Sequence, residues 1–161
     1  MTLRPSHQVG GLVAWIAICV AAAGLGGLVT TPNIPDWYAQ LAKPAWTPPS
    51  WIFGPVWSCL YLMMAISAWL VWRQNGLAAA RLPIALFALQ LALNSAWSVL
   101  FFGLHSPSAA FLDILLLWIT IVATVAAFWH WSRWASLLLV PYLAWVSFAA
   151  MLNLAIWQMN A

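Results

Sequence analysis

Charge is what this sequence has least of. Of its 161 residues, five are Lys or Arg and two are Asp or Glu, 4% in all. A soluble domain carries about 25% charged residues, so a water-facing surface over the whole chain is excluded. Cysteine is nearly absent as well. Cys19 and Cys59 both fall within apolar runs, which excludes a disulfide framework and makes two buried, free thiols the expectation. Histidine is limited to His7, His105 and His130, in a tail, a turn and a span end, so bis-histidine haem ligation inside a bundle is not expected. No Cys/His cluster, glycine-rich phosphate loop, nucleophile elbow or paired carboxylate occurs, and no metal site or required cofactor is expected. The formal charge of +3 comes from scattered loop arginines and is no nucleic-acid footprint.

What the chain has in quantity is apolar sequence, 66% of its residues. At about 20 residues per crossing, this predicts an all-α integral membrane protein, a bundle of five transmembrane helices in a single membrane domain. The expected spans are about 9–29, 51–72, 83–103, 108–131 and 135–157, joined by short turns except for a long loop over 30–50. Arg4, the first apolar run and Ala21-Ala22-Ala23 imitate a signal peptide, but the run is as long as a full span. Gly24, Gly26 and Gly27 thin the end of that helix and would let a neighbour or a ligand approach closely. Arg4, Arg73, Arg81 and Arg133 fall on the amino-terminal side, which predicts a cytoplasmic amino terminus.

The long loop ends in a stretch, Lys43 to Trp57, that holds Pro44, Pro48, Pro49 and Pro55 alongside Trp46, Trp51 and Trp57. Proline fixes φ and removes a backbone donor, so this is a stiff connector, with Ser50 placed to cap the second helix. Such backbone cannot lie in bare lipid. It reads as a lid over a ligand cleft, delivering its tryptophans to the mouth and upper wall.

Fourteen tryptophans are more than an interfacial belt requires. Trp69, Trp72, Trp129, Trp131, Trp134 and Trp157 lie at span ends, where indole is at home. Trp97, Trp118 and Trp145 lie well inside spans, and Trp57 nearly two turns into the second. Gln90, Asn94, Trp97 and Phe101 form one helical stripe at steps of four, three and four. Trp57, Tyr61 and Met64 share a face, as do Trp145, Ala149 and Leu152 with Phe148 beside them. Amides at mid-membrane are costly unless they meet partners or a cavity, so the stripes should point inward. They would either pack against one another or wall an aromatic ligand pocket. Asp113, about 9 Å into the fourth span at 1.5 Å per residue, reads as a protonated or hydrogen-bonded acid tying two helices, or as a proton or ligand contact. Asn153 reads the same way.

These residues resemble the translocator protein family, also called tryptophan-rich sensory proteins or peripheral-type benzodiazepine receptors. The resemblance covers nearly the whole chain. It rests on Trp37-Tyr38, KPAWTPPSWIFGPVW from Lys43, Leu60-Tyr61, QLALNSAWSVLFFG from Gln90, Asp113, PYLAWVSFA from Pro141, and Leu152-Asn153. It implies a five-helix bundle, commonly a homodimer in membrane lipid, that binds porphyrins of the protoporphyrin IX type as a receptor, sensor or carrier. By position, the implied pocket residues are Trp57, Asn94, Trp97 and Trp145, with Ala149, Leu152 and Tyr61 beside them. Tyr38, Trp46, Trp51 and Phe53 would line the lid side. An alternative activity, light-dependent porphyrin degradation, would use Trp57 and Trp145. The sterol motif proposed for animal members is missing, since Leu154 and Gln158 occupy its places. A bacterial envelope is the expected location, and the family topology puts the carboxyl terminus in the cytosol, opposite to the charge count. Ala85, Ala88 and Ala92 offer a small-residue face for a dimer, and Lys43 and His105 could meet propionates at the mouth.

Overall fold

A chain this apolar satisfies its backbone in lipid only by coiling each crossing into a helix. The computed structural model, which describes residues 5–161, shows that outcome: α1 (Pro5–Asn33), α2 (Ser50–Ala79), α3 (Arg81–Ser98), α4 (Pro107–Trp129) and α5 (Arg133–Met159). All five are long and apolar enough to cross a membrane. The protein is an all-α, five-helix integral membrane bundle. Around its perimeter the helices run α1, α2, α5, α4, α3 and back to α1.

Two π-helical segments interrupt the regular pattern, Ile34–Tyr38 directly after α1 and Val99–Gly103 directly after α3. The first changes the expected loop. Helix continues past Val29 through Pro32 and Pro35 as far as Gln40, so the non-helical connector is residues 41–49 and not 30–50. A π turn absorbs the register that a proline disturbs, and continuing the coil keeps backbone groups paired at membrane depth. Ser50 is the first residue of α2 and caps nothing; Pro49 precedes it. At the opposite end, Gly76 interrupts α2 with φ +75°, a left-handed conformation that glycine adopts without steric cost.

At that opposite end the helices are drawn tightly together. A Cβ on Gly11 of α1 would collide with the Trp72 ring of α2, and Trp69 Nε1 donates to Gln8 O at 2.9 Å. The Arg73 guanidinium lies over Trp69 at 4.6 Å and that of Arg133 over Trp129 at 5.5 Å, as expected for an interfacial belt. Arg4, part of the charge count, lies outside the described residues. Cys19 is buried, but Cys59 is exposed on the outer face of α2, contrary to expectation. The period of the helix explains the error, because an apolar span that faces lipid reads like one that faces the core.

Candidate functional site

The inward faces of α1, α2, α3 and α5 do not close on one another beneath the connector. They enclose a cavity of about 430 Å³, within the range of about 300–1,000 Å³ usual for small-molecule sites. α2 contributes Trp51, Phe53, Trp57 and Tyr61; α3 contributes Asn94 and Trp97; α5 contributes Trp145, Ala149 and Leu152. Tyr38 enters from the first π segment, Phe101 and Phe102 from the second. Of the pocket and lid-side residues implied by the resemblance, all but Trp46 line this cavity. That residue sits half-exposed on the connector, its ring 5.8 Å from Phe148.

Aromatic contacts order the walls. Trp97 stacks on Phe101 at 5.2 Å and meets Phe102 edge-on at 6.0 Å. Trp145 lies 5.8 Å from Phe53 and 5.4 Å from Phe148. Trp57 lies 5.7 Å from Tyr61 and 6.2 Å from Tyr142. Trp118, grouped with these tryptophans on depth alone, is on the outside. It is 39% exposed, and its Nε1 donates to Ser147 Oγ at 2.8 Å.

Beneath the aromatic walls runs a chain of buried hydrogen bonds. Tyr61 OH donates to Asn94 Oδ1 at 2.7 Å, Asn94 Nδ2 to Tyr142 OH at 2.9 Å, and Tyr142 OH to Gln90 Oε1 at 2.8 Å. Gln90 Nε2 reaches Met64 Sδ at 3.8 Å. Asn94, 5% exposed, keeps one amide hydrogen beyond this chain. Tyr142, the fully buried hub, was not singled out by sequence reasoning, although a tyrosine directly after Pro141 and a helical turn before Trp145 was a usable signal. Asn153 does tie helices: it accepts from Trp97 Nε1 at 2.9 Å and donates to Pro107 O at 2.8 Å. Asp113 makes no such tie through Oδ2, which is buried without a partner, and it does not line the cavity. Trp145 Nε1 is buried and unpartnered as well.

The two basic residues expected at the mouth are engaged elsewhere. Lys43 Nζ donates to the carbonyls of Tyr38, Ala39 and Leu41 at 2.7, 3.2 and 2.8 Å and lies over the Tyr38 ring. It thereby caps the end of the first helical segment, where a cation complements the helix dipole. His105 adopts φ +52°, stacks on Trp37 at 4.5 Å and lies 2.9 Å from Asn33 Oδ1. Among the described residues, no Asp, Glu, Lys, Arg or His lines the cavity.

The connector itself is latched. Asn160, just past α5, accepts from Ala42 N and donates to Ala42 O, both at 2.9 Å. Thr47 closes the tip by donating through N and Oγ1 to Pro44 O, at 3.0 and 2.7 Å.

Residues 15–158 match the model of the TspO/MBR family. The chain belongs to that family. It is 47% identical to the tryptophan-rich protein TspO of Chlorobaculum tepidum, over 96% of this chain and 99% of that one. It is 44% identical to the translocator protein of Homo sapiens, over 77% of this chain and 75% of that one. Against the tryptophan-rich sensory protein of Cereibacter sphaeroides the figures are 36%, 92% and 90%. As a TspO/MBR member, the chain places all four implied pocket residues, Trp57, Asn94, Trp97 and Trp145, around one cavity.

Proposed function

We infer that this protein is a membrane receptor or sensor whose cavity binds a flat, largely apolar tetrapyrrole of the porphyrin class. The observation that carries the reading is the cavity of about 430 Å³ with indoles on three of its walls and the amides of Asn94 and Asn153 in its lining. A planar macrocycle presents faces to Trp57, Trp97 and Trp145, each pairing worth about 0.5–1.5 kcal/mol beyond area burial. The remaining Asn94 hydrogen meets a polar edge. The names of the relatives, "Tryptophan-rich sensory protein" and "Translocator protein", support a receptor or sensor role.

Because no charged side chain among the described residues lines the cavity, the ring is held inside and any propionates project from it. A porphyrin whose carboxylates are esterified therefore binds at least as tightly as the free acid. Titration followed by tryptophan fluorescence tests the assignment. Trp145→Phe and Asn94→Ala are each expected to weaken protoporphyrin IX binding about 5- to 30-fold, the loss of one contact of about 1–2 kcal/mol. Unchanged affinity in both variants removes the assignment.

A second reading rests on Trp57 and Trp145 lining the same space from different helices. On this reading the light-excited porphyrin passes its excitation to dioxygen, and the excited dioxygen adds across one meso carbon–carbon double bond of the macrocycle, cleaving it with both oxygen atoms retained as carbonyls, while Trp57 and Trp145 hold the ring in place. Illumination in air with product analysis separates the two readings: an altered pigment that is lost in Trp57→Phe indicates chemistry, and unaltered pigment indicates binding alone.

A further inference from the structure

We propose that the cavity opens sideways into the hydrocarbon layer, through a gap between α1 and α2, and that its ligand enters from the bilayer and not through the connector. The proposal rests on the tetrapyrrole reading above and adds the route. The two helices form a wedge. At the Arg73 end they touch so closely that Gly11 has no room for a Cβ beside Trp72. At the connector end, a Cβ on Gly27 of α1 or Gly54 of α2 would meet nothing within 4 Å, although both residues line the cavity. Antiparallel helices that touch at one end and leave open space at the other diverge, and the cavity lies in the divergence.

The chemistry of the gap suits lipid. Its edge on α2 carries Ser50, Gly54 and Ser58 at helical spacing, and the Ser58 hydroxyl is satisfied by Gly54 O at 2.9 Å. A hydroxyl bonded to its own helix asks nothing of its surroundings. Trp51, 74% exposed, stands beside this edge. The route through the connector is obstructed by comparison, since the Asn160 side chain holds both backbone groups of Ala42 and Lys43 holds three carbonyls. Opening it would break these bonds, whereas a flat apolar molecule already dissolved among acyl chains needs only to slide between two helices.

The test is stopped-flow quenching of tryptophan fluorescence, with the protein in phosphatidylcholine vesicles and the dimethyl ester of protoporphyrin IX as probe. Gly54→Leu and Gly27→Leu place a side chain in the gap. Each is expected to slow association and dissociation together, by tenfold or more, because a plug hinders exit as well as entry. A variant that had merely lost a binding contact would release the probe faster. Asn160→Ala, which unlatches the connector, is expected to leave both rates within twofold. Rates unaffected by the leucines but raised several-fold by Asn160→Ala would overturn the portal while leaving the cavity reading intact. The absence of saturable quenching by the ester and by the free acid in the unmodified protein would overturn both.

Discussion

Tyr142 shows how much one side chain can organise. Its hydroxyl accepts from Asn94 and donates to Gln90, so α3 and α5 are joined twice through one oxygen. Tyr142→Phe leaves an amide hydrogen and an amide oxygen buried without partners, at a cost of about 1–3 kcal/mol for each group. Thermal unfolding in detergent is expected to show a clear fall in the midpoint, larger than for Trp97→Phe, which strands only Asn153 Oδ1. Equal midpoints for the two variants would show that the hub is not special. At this scale the sequence was informative about which residues face inward. The steps of four, three and four from Gln90 to Phe101 are a property of helix geometry, and the cost of an amide in lipid gives them direction. It was uninformative about partners. Depth alone put Trp118 beside Trp97, yet Trp118 bonds a serine on the lipid face and Trp97, on the stripe with Asn94, bonds Asn153 inside. Lys43 misled for a similar reason: a lone cation near a pocket mouth suggests an anion, while the carbonyls that claim it belong to a helix end visible only in three dimensions.

Among the helices, glycine positions decide how closely the crossings approach. Gly11→Ala is expected to destabilise the bundle by about 1–3 kcal/mol, because the added methyl overlaps the Trp72 ring. Gly54→Ala is expected to be neutral or stabilising by up to about 1 kcal/mol, since it relieves the helix cost of glycine without a clash. Denaturation midpoints of the two variants should move in different directions, and a matched loss in both would contradict the wedge. The five crossings themselves were legible from hydropathy alone, because lipid imposes both helicity and length. The end of the first was not. The loop was expected from residue 30, but a π turn carried the coil through Pro32 and Pro35 to Gln40. Both π segments supply cavity residues, Ile34 and Tyr38 from one, Phe101 and Phe102 from the other. A single extra residue per turn rotates the following side chains relative to a regular helix, and no pattern based on a 3.6-residue period anticipates that.

For the whole molecule, the perimeter order α1, α2, α5, α4, α3 brings the first and last crossings to either side of α2, and it allows the end of α5 to hold the connector through Asn160. Releasing that hold is expected to be a local event. In Asn160→Ala, the amide of Ala42 should exchange with deuterium at least tenfold faster, while the amides in the middle of α5 keep their protection. Loss of protection throughout α5 would show that the latch supports the bundle and not the connector alone. This arrangement was beyond the reach of sequence reasoning, since Ala42 and Asn160 are 118 residues apart and neither carries a signature.

The contrast between the two thiols supplies a probe that needs no engineering. Cys19 is sealed in the core, whereas Cys59 looks outward and directly follows Ser58 on the edge of the α1–α2 opening. A lipophilic thiol reagent should therefore tag one site per chain, and a fluorophore there would report guests passing between these helices in the native sequence.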